Sequence, residues 1–232
     1  MNSQVASLLA AAVMAVSPLA WADADYTTFD QEAQAALTPD QALELLKEGN
    51  ARFVAGDSTE RDLIEQQKVT SAGQFPFAVV LSCLDSRSTP EVVFDQGVGD
   101  LFVGRVAGNV VDTNLLGSFE FATAAAGSKL IVVMGHTACG AVKGACDGVE
   151  LGNLTALLDE IEPAMDAVST PVGADRSSAN TAFVNDVIET NVKMQVNELL
   201  RRSDVVRGLV EQGQVKVVGA VHDISTGEVT FL

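Results

Sequence analysis

Short apolar runs alternate with amphipathic segments along the chain. The runs are rich in valine and isoleucine and cover residues 77–82, 101–106, 130–134 and 215–221. Their hydrophobic residues are nearly continuous, which is typical of strands that are buried on both faces of a sheet. The pattern therefore predicts four interior strands. Residues 229–232, which follow a turn at Gly227, could add a short edge strand.

Helices are predicted between these strands. The first begins at Pro39 and runs to about Val54, and others are predicted at residues 112–127, 138–147 and 178–212, the last with a break near 203. Strands that alternate with helices indicate the α/β class: a mostly parallel β-sheet flanked by helices, here with room for an antiparallel edge strand at the C-terminus. The polar residues 163–180 predict a surface loop.

The first 22 residues differ in composition from the rest of the chain. They contain no charged side chain, have an apolar core at residues 5–16, and end in Ala20-Trp21-Ala22, a small-residue cleavage pattern. We interpret residues 1–22 as a secretory signal peptide; the alternative is a buried or interfacial helix, because the run is short for a membrane span. Residues 23–232 are then a single exported domain, with the periplasm as the expected destination and secretion as the alternative.

The chain is strongly acidic, with a formal net charge of −17. Nucleic acids and anionic membrane surfaces attract basic proteins, so neither is expected as a partner.

The candidate chemistry lies where two of the predicted strands end. Cys83 follows the first strand, and His136 and Cys139 follow the third with the spacing H-x-x-C. If these strands are neighbours, the three side chains meet at the carboxyl edge of the sheet, where open α/β folds bind ligands. Two thiolates and an imidazole are good zinc ligands, and three protein ligands leave a fourth position open, as in catalytic zinc sites.

Disulfide formation is the competing interpretation of the cysteines in an exported protein. Cys139 and Cys146 would lie about 10 Å apart along one helix, too far for a disulfide. A bond between Cys83 and Cys139 is geometrically conceivable but leaves His136 unexplained. We interpret Cys146 as a buried free thiol and His222 as a side chain near the end of the last strand, outside the ligand set.

Several motifs together resemble the β-class carbonic anhydrases. They are Cys83-Leu84-Asp85-Ser86-Arg87, Phe94-Asp95-Gln96-Gly97, Gly99-Asp100-Leu101-Phe102, Arg105-Val106-Ala107-Gly108-Asn109, Gly135-His136-Thr137-Ala138-Cys139-Gly140 and Gly219-Ala220. The resemblance covers roughly residues 38–232. It implies one zinc ion (Zn2+) per chain at Cys83, His136 and Cys139, reversible hydration of carbon dioxide to bicarbonate and a proton, and a homodimer or homotetramer.

The residues around the expected metal have candidate roles. Asp85 would accept a hydrogen bond from zinc-bound hydroxide while Arg87 holds its carboxylate, and the resemblance also implies a closed form in which Asp85 is itself the fourth zinc ligand. Gln96 would donate a hydrogen bond to bicarbonate, or is a turn residue. Gly140 would let the backbone approach the ligand, or only suits a tight helix start.

The chain departs from the resembling family at three positions. Val106 stands where the family often has asparagine, and Phe121 where it often has tyrosine. Val80 replaces the tryptophan of those members that bicarbonate regulates, so that regulation is not expected here. Two other classes of function compete with catalysis: a zinc-binding or zinc-sensing module, and a thiol–disulfide protein, for which the chain lacks C-x-x-C.

Overall fold

The computed structural model describes residues 28–232, and the predicted signal peptide lies outside them. The described residues form a five-stranded sheet in the order β2-β1-β3-β4-β5. The strands are β1 (Ala78–Ser82), β2 (Leu101–Arg105), β3 (Leu130–His136), β4 (Lys216–His222) and β5 (Val229–Phe231). The first four are parallel, and β5 runs antiparallel to β4. The predicted α/β class, the parallel sheet and the antiparallel edge strand are confirmed.

Helices cover the sheet on both sides. They are α1 (Gln31–Ala36), α2 (Pro39–Ala55), α3 (Leu63–Thr70), α4 (Pro90–Val93), α5 (Thr113–Glu120), α6 (Gly140–Cys146), α7 (Asn153–Asp159), α8 (Glu162–Ala167), α9 (Thr181–Arg202) and α10 (Asp204–Glu211). Within residues 28–232, no helix combines the length and the apolar character needed to cross a bilayer.

The continuous apolar runs are explained by a core on each face of the sheet. Ala78 and Val80 of β1 pack on one side with Leu46 of α2. Val79 and Leu81 point to the other side and pack with helix α9 and its neighbours. Because successive side chains of a strand alternate between faces, a strand covered on both faces needs apolar residues at every position.

Two predicted boundaries are wrong for identifiable reasons. The predicted loop 163–180 begins as helix α8, because Ala164 and the preceding Ile161 are buried while the polar residues of this segment face solvent. The predicted helix 138–147 begins only at Gly140, because Ala138 has a left-handed φ of 55° that a helix cannot contain. The predicted break near residue 203 is confirmed at Ser203, whose hydroxyl caps α10 by accepting a hydrogen bond from the Val206 amide.

The order of the strands positions the candidate site residues. β1 and β3 are parallel neighbours, and Ser82 at the end of β1 lies opposite Met134 of β3. Residues that follow β1 and residues at the end of β3 therefore share the carboxyl edge of the sheet.

Candidate metal centre

Cys83, His136 and Cys139 form a compact cluster at this edge. Cys83 follows β1 directly, His136 is the last residue of β3, and Cys139 stands immediately before α6. One ligand atom from each residue lies within 4.8 Å of the others, and all three residues are buried. The two sulfur atoms are 3.8 Å apart, and both cysteines are free, so they are not joined as a disulfide. The predicted convergence of these side chains is confirmed, and the cluster could hold a metal ion.

One ring nitrogen of His136 is aligned by the backbone. Its Nδ1 lies 2.9 Å from the carbonyl oxygen of Thr137. Its Nε2 is buried and has no hydrogen-bond partner among residues 28–232. A buried polar atom without a partner costs free energy, so this nitrogen fits a position where a metal supplies the missing contact.

The two thiols of the cluster influence each other's protonation. The contact with Cys83 lowers the pKa of Cys139, while the same contact, together with burial, raises the pKa of Cys83. Cys139 therefore loses its proton more readily, and Cys83 keeps its proton more tightly. A cation bound here would displace the remaining proton, because thiolates and not thiols are metal ligands.

Asp85 and Arg87 form a two-pronged ion pair beside the cluster. Arg87 Nη2 lies 2.8 Å from Asp85 Oδ2, Arg87 Nε lies 3.0 Å from Oδ1, and the Arg87 backbone amide also donates to Oδ1 at 2.8 Å. The side-chain hydrogen bonds from Arg87 hold the pKa of Asp85 well below its usual range. Asp85 Oδ2 is 3.7 Å from His136 Nε2, so an ionised carboxylate faces the cluster.

The remaining predicted site residues have other contacts. The Gln96 side-chain amide donates to the carbonyl of Phe94 at 2.7 Å, a bond within its own turn. Gly140 begins α6, and a Cβ added there would meet no atom within 4 Å. For both residues the contact with substrate stays a prediction.

Two residues that were placed outside the ligand set lie outside the cluster. His222 is the last residue of β4, and its Nδ1 is 3.0 Å from the hydroxyl of Ser88. Cys146 is a free thiol as predicted, but it is only half-buried: it ends α6 and packs against the core cluster that includes Val142 and Ala145.

Comparison with known proteins assigns the family. Residues 78–229 match the family model of carbonic anhydrase. Carbonic anhydrase 2 of Mycobacterium tuberculosis is 35% identical over 190 residues, which cover 82% of this chain and 90% of that protein. The β-carbonic anhydrase of Coccomyxa, solved in complex with acetazolamide, has 26% identity and a TM-score of 0.64, covering 82% of this chain and 84% of that one. The chain belongs to the β-class carbonic anhydrases.

Other relatives of this carbonic anhydrase agree. The carbonic anhydrase of Mycolicibacterium smegmatis is 36% identical over 194 residues, covering 82% of this chain and 92% of that protein. A tetrameric β-carbonic anhydrase of Sordaria macrospora has 27% identity and a TM-score of 0.62, covering 71% of this chain and 84% of that one.

The structure shows the surroundings of two of the three departures from the family pattern. Val80 is fully buried in the middle of β1. Phe121 is half-exposed, and its ring lies edge-on to Phe102 with the ring centres 5.9 Å apart. Phe121 thus presents an apolar ring without a hydroxyl that could bind water or ligand.

In this carbonic anhydrase, two groups form hydrogen bonds around the cluster that could not be predicted from the sequence. The Arg105 guanidinium donates to three backbone carbonyls of the turn that carries Cys83 and Asp85, namely those of Cys83, Asp85 and Ser88. The Gly108 backbone amide donates to Cys83 Sγ at 3.2 Å. Arg105 and Gly108 belong to a motif that is visible in the sequence, but nothing in the motif tells which atoms they contact.

Proposed function

We propose that this carbonic anhydrase catalyses the reversible hydration of carbon dioxide to bicarbonate and a proton, with one zinc ion bound by Cys83, His136 and Cys139. The observation that carries the proposal is the joint position of the three ligand atoms, within 4.8 Å of one another, and of the Asp85 carboxylate 3.7 Å from His136 Nε2. The names of the relatives support the reaction.

The donor set suits zinc. Two sulfur atoms that each lie about 2.3 Å from a tetrahedral zinc ion are separated by about 3.8 Å, and Cys83 Sγ and Cys139 Sγ are 3.8 Å apart. Soft thiolates together with an imidazole favour zinc over magnesium or calcium. Zinc held there would act as a Lewis acid that lowers the pKa of a coordinated water toward about 7.

The protein's own residues then orient the reactants. Asp85 is ionised and can only accept hydrogen bonds, so its Oδ2 would accept one from the attacking water. This hydrogen bond would direct a lone pair of the water oxygen toward carbon dioxide. Arg87 holds the carboxylate in one orientation through its paired hydrogen bonds. The water oxygen bonds to the carbon atom, one C=O π bond becomes a C–O⁻ bond, and the proton that the water loses leaves as the second product.

The direct test combines metal analysis with stopped-flow hydration of carbon dioxide. We expect about one zinc ion per chain and rapid hydration that a chelator abolishes and zinc restores. Bound zinc without hydration would favour the competing hypothesis of a zinc-binding or zinc-sensing module. Hydration by a protein that contains no metal would contradict the proposed site.

Activity should rise with pH across the neutral range. Because the pKa of Asp85 is held well below its usual range, this carboxylate is already ionised at pH 6 and does not itself titrate as activity rises. The rise would follow the ionisation of the attacking water; in the closed form, which we expect at lower pH, Asp85 would take the place of this water as the fourth ligand. A profile of kcat/KM measured from about pH 6 to 9 checks this; a flat profile contradicts it.

We further propose that the active protein is a homodimer or homotetramer. Two apolar side chains are exposed in the single chain: 72% of Leu84, which follows the proposed ligand Cys83, and 54% of Phe121, which contacts Phe102 of β2, are accessible. Strand β2 forms an edge of the sheet and is only half-buried. Ultracentrifugation should give a dimeric or tetrameric mass, and a monomer at assay concentration would refute this.

Export completes the proposal. The support is the uncharged segment 1–22 with its small-residue cleavage pattern. Expression of residues 1–232 followed by cell fractionation and N-terminal sequencing should find a periplasmic protein that begins at Asp23. An unprocessed protein in the cytoplasm would contradict it.

A further inference from the structure

Two amide side chains interrupt the apolar stripe of α9. Asn191 and Gln195 are buried, with 1% and 7% of their surface accessible, on the same face as Val187, Val192 and Leu199. A buried amide costs free energy unless its donors and acceptors are hydrogen-bonded, and apolar residues would serve better if packing were the only requirement. The contacts of these two side chains therefore indicate what they are for.

Both side chains hold one turn that follows β2. Asn191 Nδ2 donates to the carbonyl oxygen of Gly108 at 2.9 Å. Gln195 Oε1 accepts from the backbone amide of Val111 at 2.8 Å, and Gln195 Nε2 donates to Asn191 Oδ1 at 3.2 Å. One helix thus fixes both ends of residues 108–111 through a connected pair of amides.

The same turn has an unfavourable backbone and touches the metal centre. Gly108 and Asn109 have left-handed φ values of 69° and 45°. The positive φ of Gly108 strains any residue with a side chain, and a Cβ there would also lie 2.7 Å from Ile161 Cδ1, which would have to move. Strained backbone persists where its surroundings hold it. In this conformation the Gly108 amide donates to Cys83 Sγ at 3.2 Å.

We propose that Asn191 and Gln195 are positioning residues of the metal centre, which hold Gly108 so that its amide hydrogen-bonds the Cys83 sulfur. The proposal rests on the proposed function, in which Cys83 is a zinc ligand. A hydrogen bond to a thiolate withdraws charge from the sulfur, which stabilises the ligand and reduces the charge that it donates to the metal. With two thiolates in the ligand set, this helps the metal to remain a sufficiently strong Lewis acid.

Asn191→Leu tests the proposal, because leucine has a similar size but cannot hold the Gly108 carbonyl. Loss of hydrogen bonds around a metal ligand typically weakens metal binding by about 10- to 100-fold, and we expect about tenfold weaker zinc binding in competition with a chelator. In the cobalt-substituted protein, the thiolate-to-metal charge-transfer band should move to longer wavelength, because the sulfur that loses the hydrogen bond gives up its electrons more easily.

Gln34→Leu is the matched control. Gln34 is also a buried amide that holds backbone, since its Nε2 donates to the carbonyls of Pro76 and Ala126 at 2.8 Å each. Pro76 precedes β1, whereas Cys83 follows it, so this contact lies at the opposite edge of the sheet. Gln34→Leu should lower the melting temperature as Asn191→Leu does, but it should leave zinc affinity and the cobalt band unchanged.

The outcomes separate this inference from the proposed function. If the wild type binds neither zinc nor cobalt, the proposed function fails. If the wild type binds zinc and cobalt and Asn191→Leu has the same zinc affinity and cobalt spectrum as the wild type, the inference is overturned. It is also overturned if Gln34→Leu shows the same loss of zinc affinity and the same band shift as Asn191→Leu. If Asn191→Leu does not fold, Gln195→Leu is measured instead, because it removes the hydrogen bond that Gln195 donates to Asn191 Oδ1. A smaller loss of zinc affinity with the same shift of the cobalt band supports the inference. Wild-type affinity and spectrum in this variant overturn it.

Discussion

Cys139→Ser is expected to lose zinc and nearly all hydration activity, whereas Cys146→Ser keeps both. Cys139 contributes one of the two sulfur atoms of the cluster, and it is almost completely buried. A serine hydroxyl is not deprotonated near neutral pH and is a poor zinc ligand, so two strong ligands would remain. Without the metal the attacking water is not activated, and we expect hydration to fall by at least about 10³-fold.

The measurement is zinc per chain after dialysis, followed by stopped-flow hydration of carbon dioxide. Cys146→Ser is the matched control, since it removes the same atom from a half-buried site outside the cluster. We expect less than about a tenth of a zinc ion per chain in Cys139→Ser and about one in Cys146→Ser. Normal zinc content in Cys139→Ser, or equal loss in both variants, would show that the metal is bound elsewhere.

The proposed metal ligands could be predicted because their positions depend on short-range features of the chain. Cys83 directly follows an apolar run, and His136 and Cys139 follow another with the spacing H-x-x-C, so parallel pairing of the two strands is enough to bring them together. The pairing of Asp85 with Arg87 depends on a separation of two residues in one turn. An error of one or two residues in the predicted ends of the strands and helices does not change these predictions.

The support around the ligands could not be predicted, because it joins residues that are far apart in sequence. The hydrogen bonds that link Gln195 through Asn191 and Gly108 to Cys83 span more than half of the described residues in sequence. The bond to the Cys83 sulfur is donated by a backbone amide, a group that every residue except proline has. The available signal is weak: two amide residues four positions apart within the apolar stripe of a helix. Their spacing indicates a common face, but not the partner.

Short helices were missed for a related reason. Helices α1, α3 and α7 have six to eight residues, too few for a clear apolar periodicity. Helices of this length are not stable in isolation, so their conformation depends on caps and on packing against the rest of the chain. Asp30 and Asp62 cap α1 and α3 by accepting hydrogen bonds from the Ala33 and Glu65 amides.

Asp85→Asn should separate catalysis from metal binding. Asparagine has nearly the same shape, but one of the two oxygen acceptors becomes an NH₂ donor, and the negative charge that pairs with Arg87 is lost. Asp85 is not one of the three clustered ligands, so zinc content should stay at about one per chain. The attacking water would lose the acceptor that orients it, and we expect kcat/KM to fall by about 10²-fold.

Asp204→Asn provides the control, because Asp204 pairs with Arg207 on the surface in a similar charged contact. Exposed ion pairs contribute little, so this variant should match the wild type in activity. If Asp85 and Arg87 were no more than a surface pair, Asp85→Asn would behave like Asp204→Asn, with normal zinc and normal kcat/KM. If Asp85 were required to retain the metal, zinc and activity would fall together. Only a carboxylate that acts on the water leaves zinc in place while hydration fails, because the metal is then held by two sulfurs and a nitrogen that the substitution does not touch.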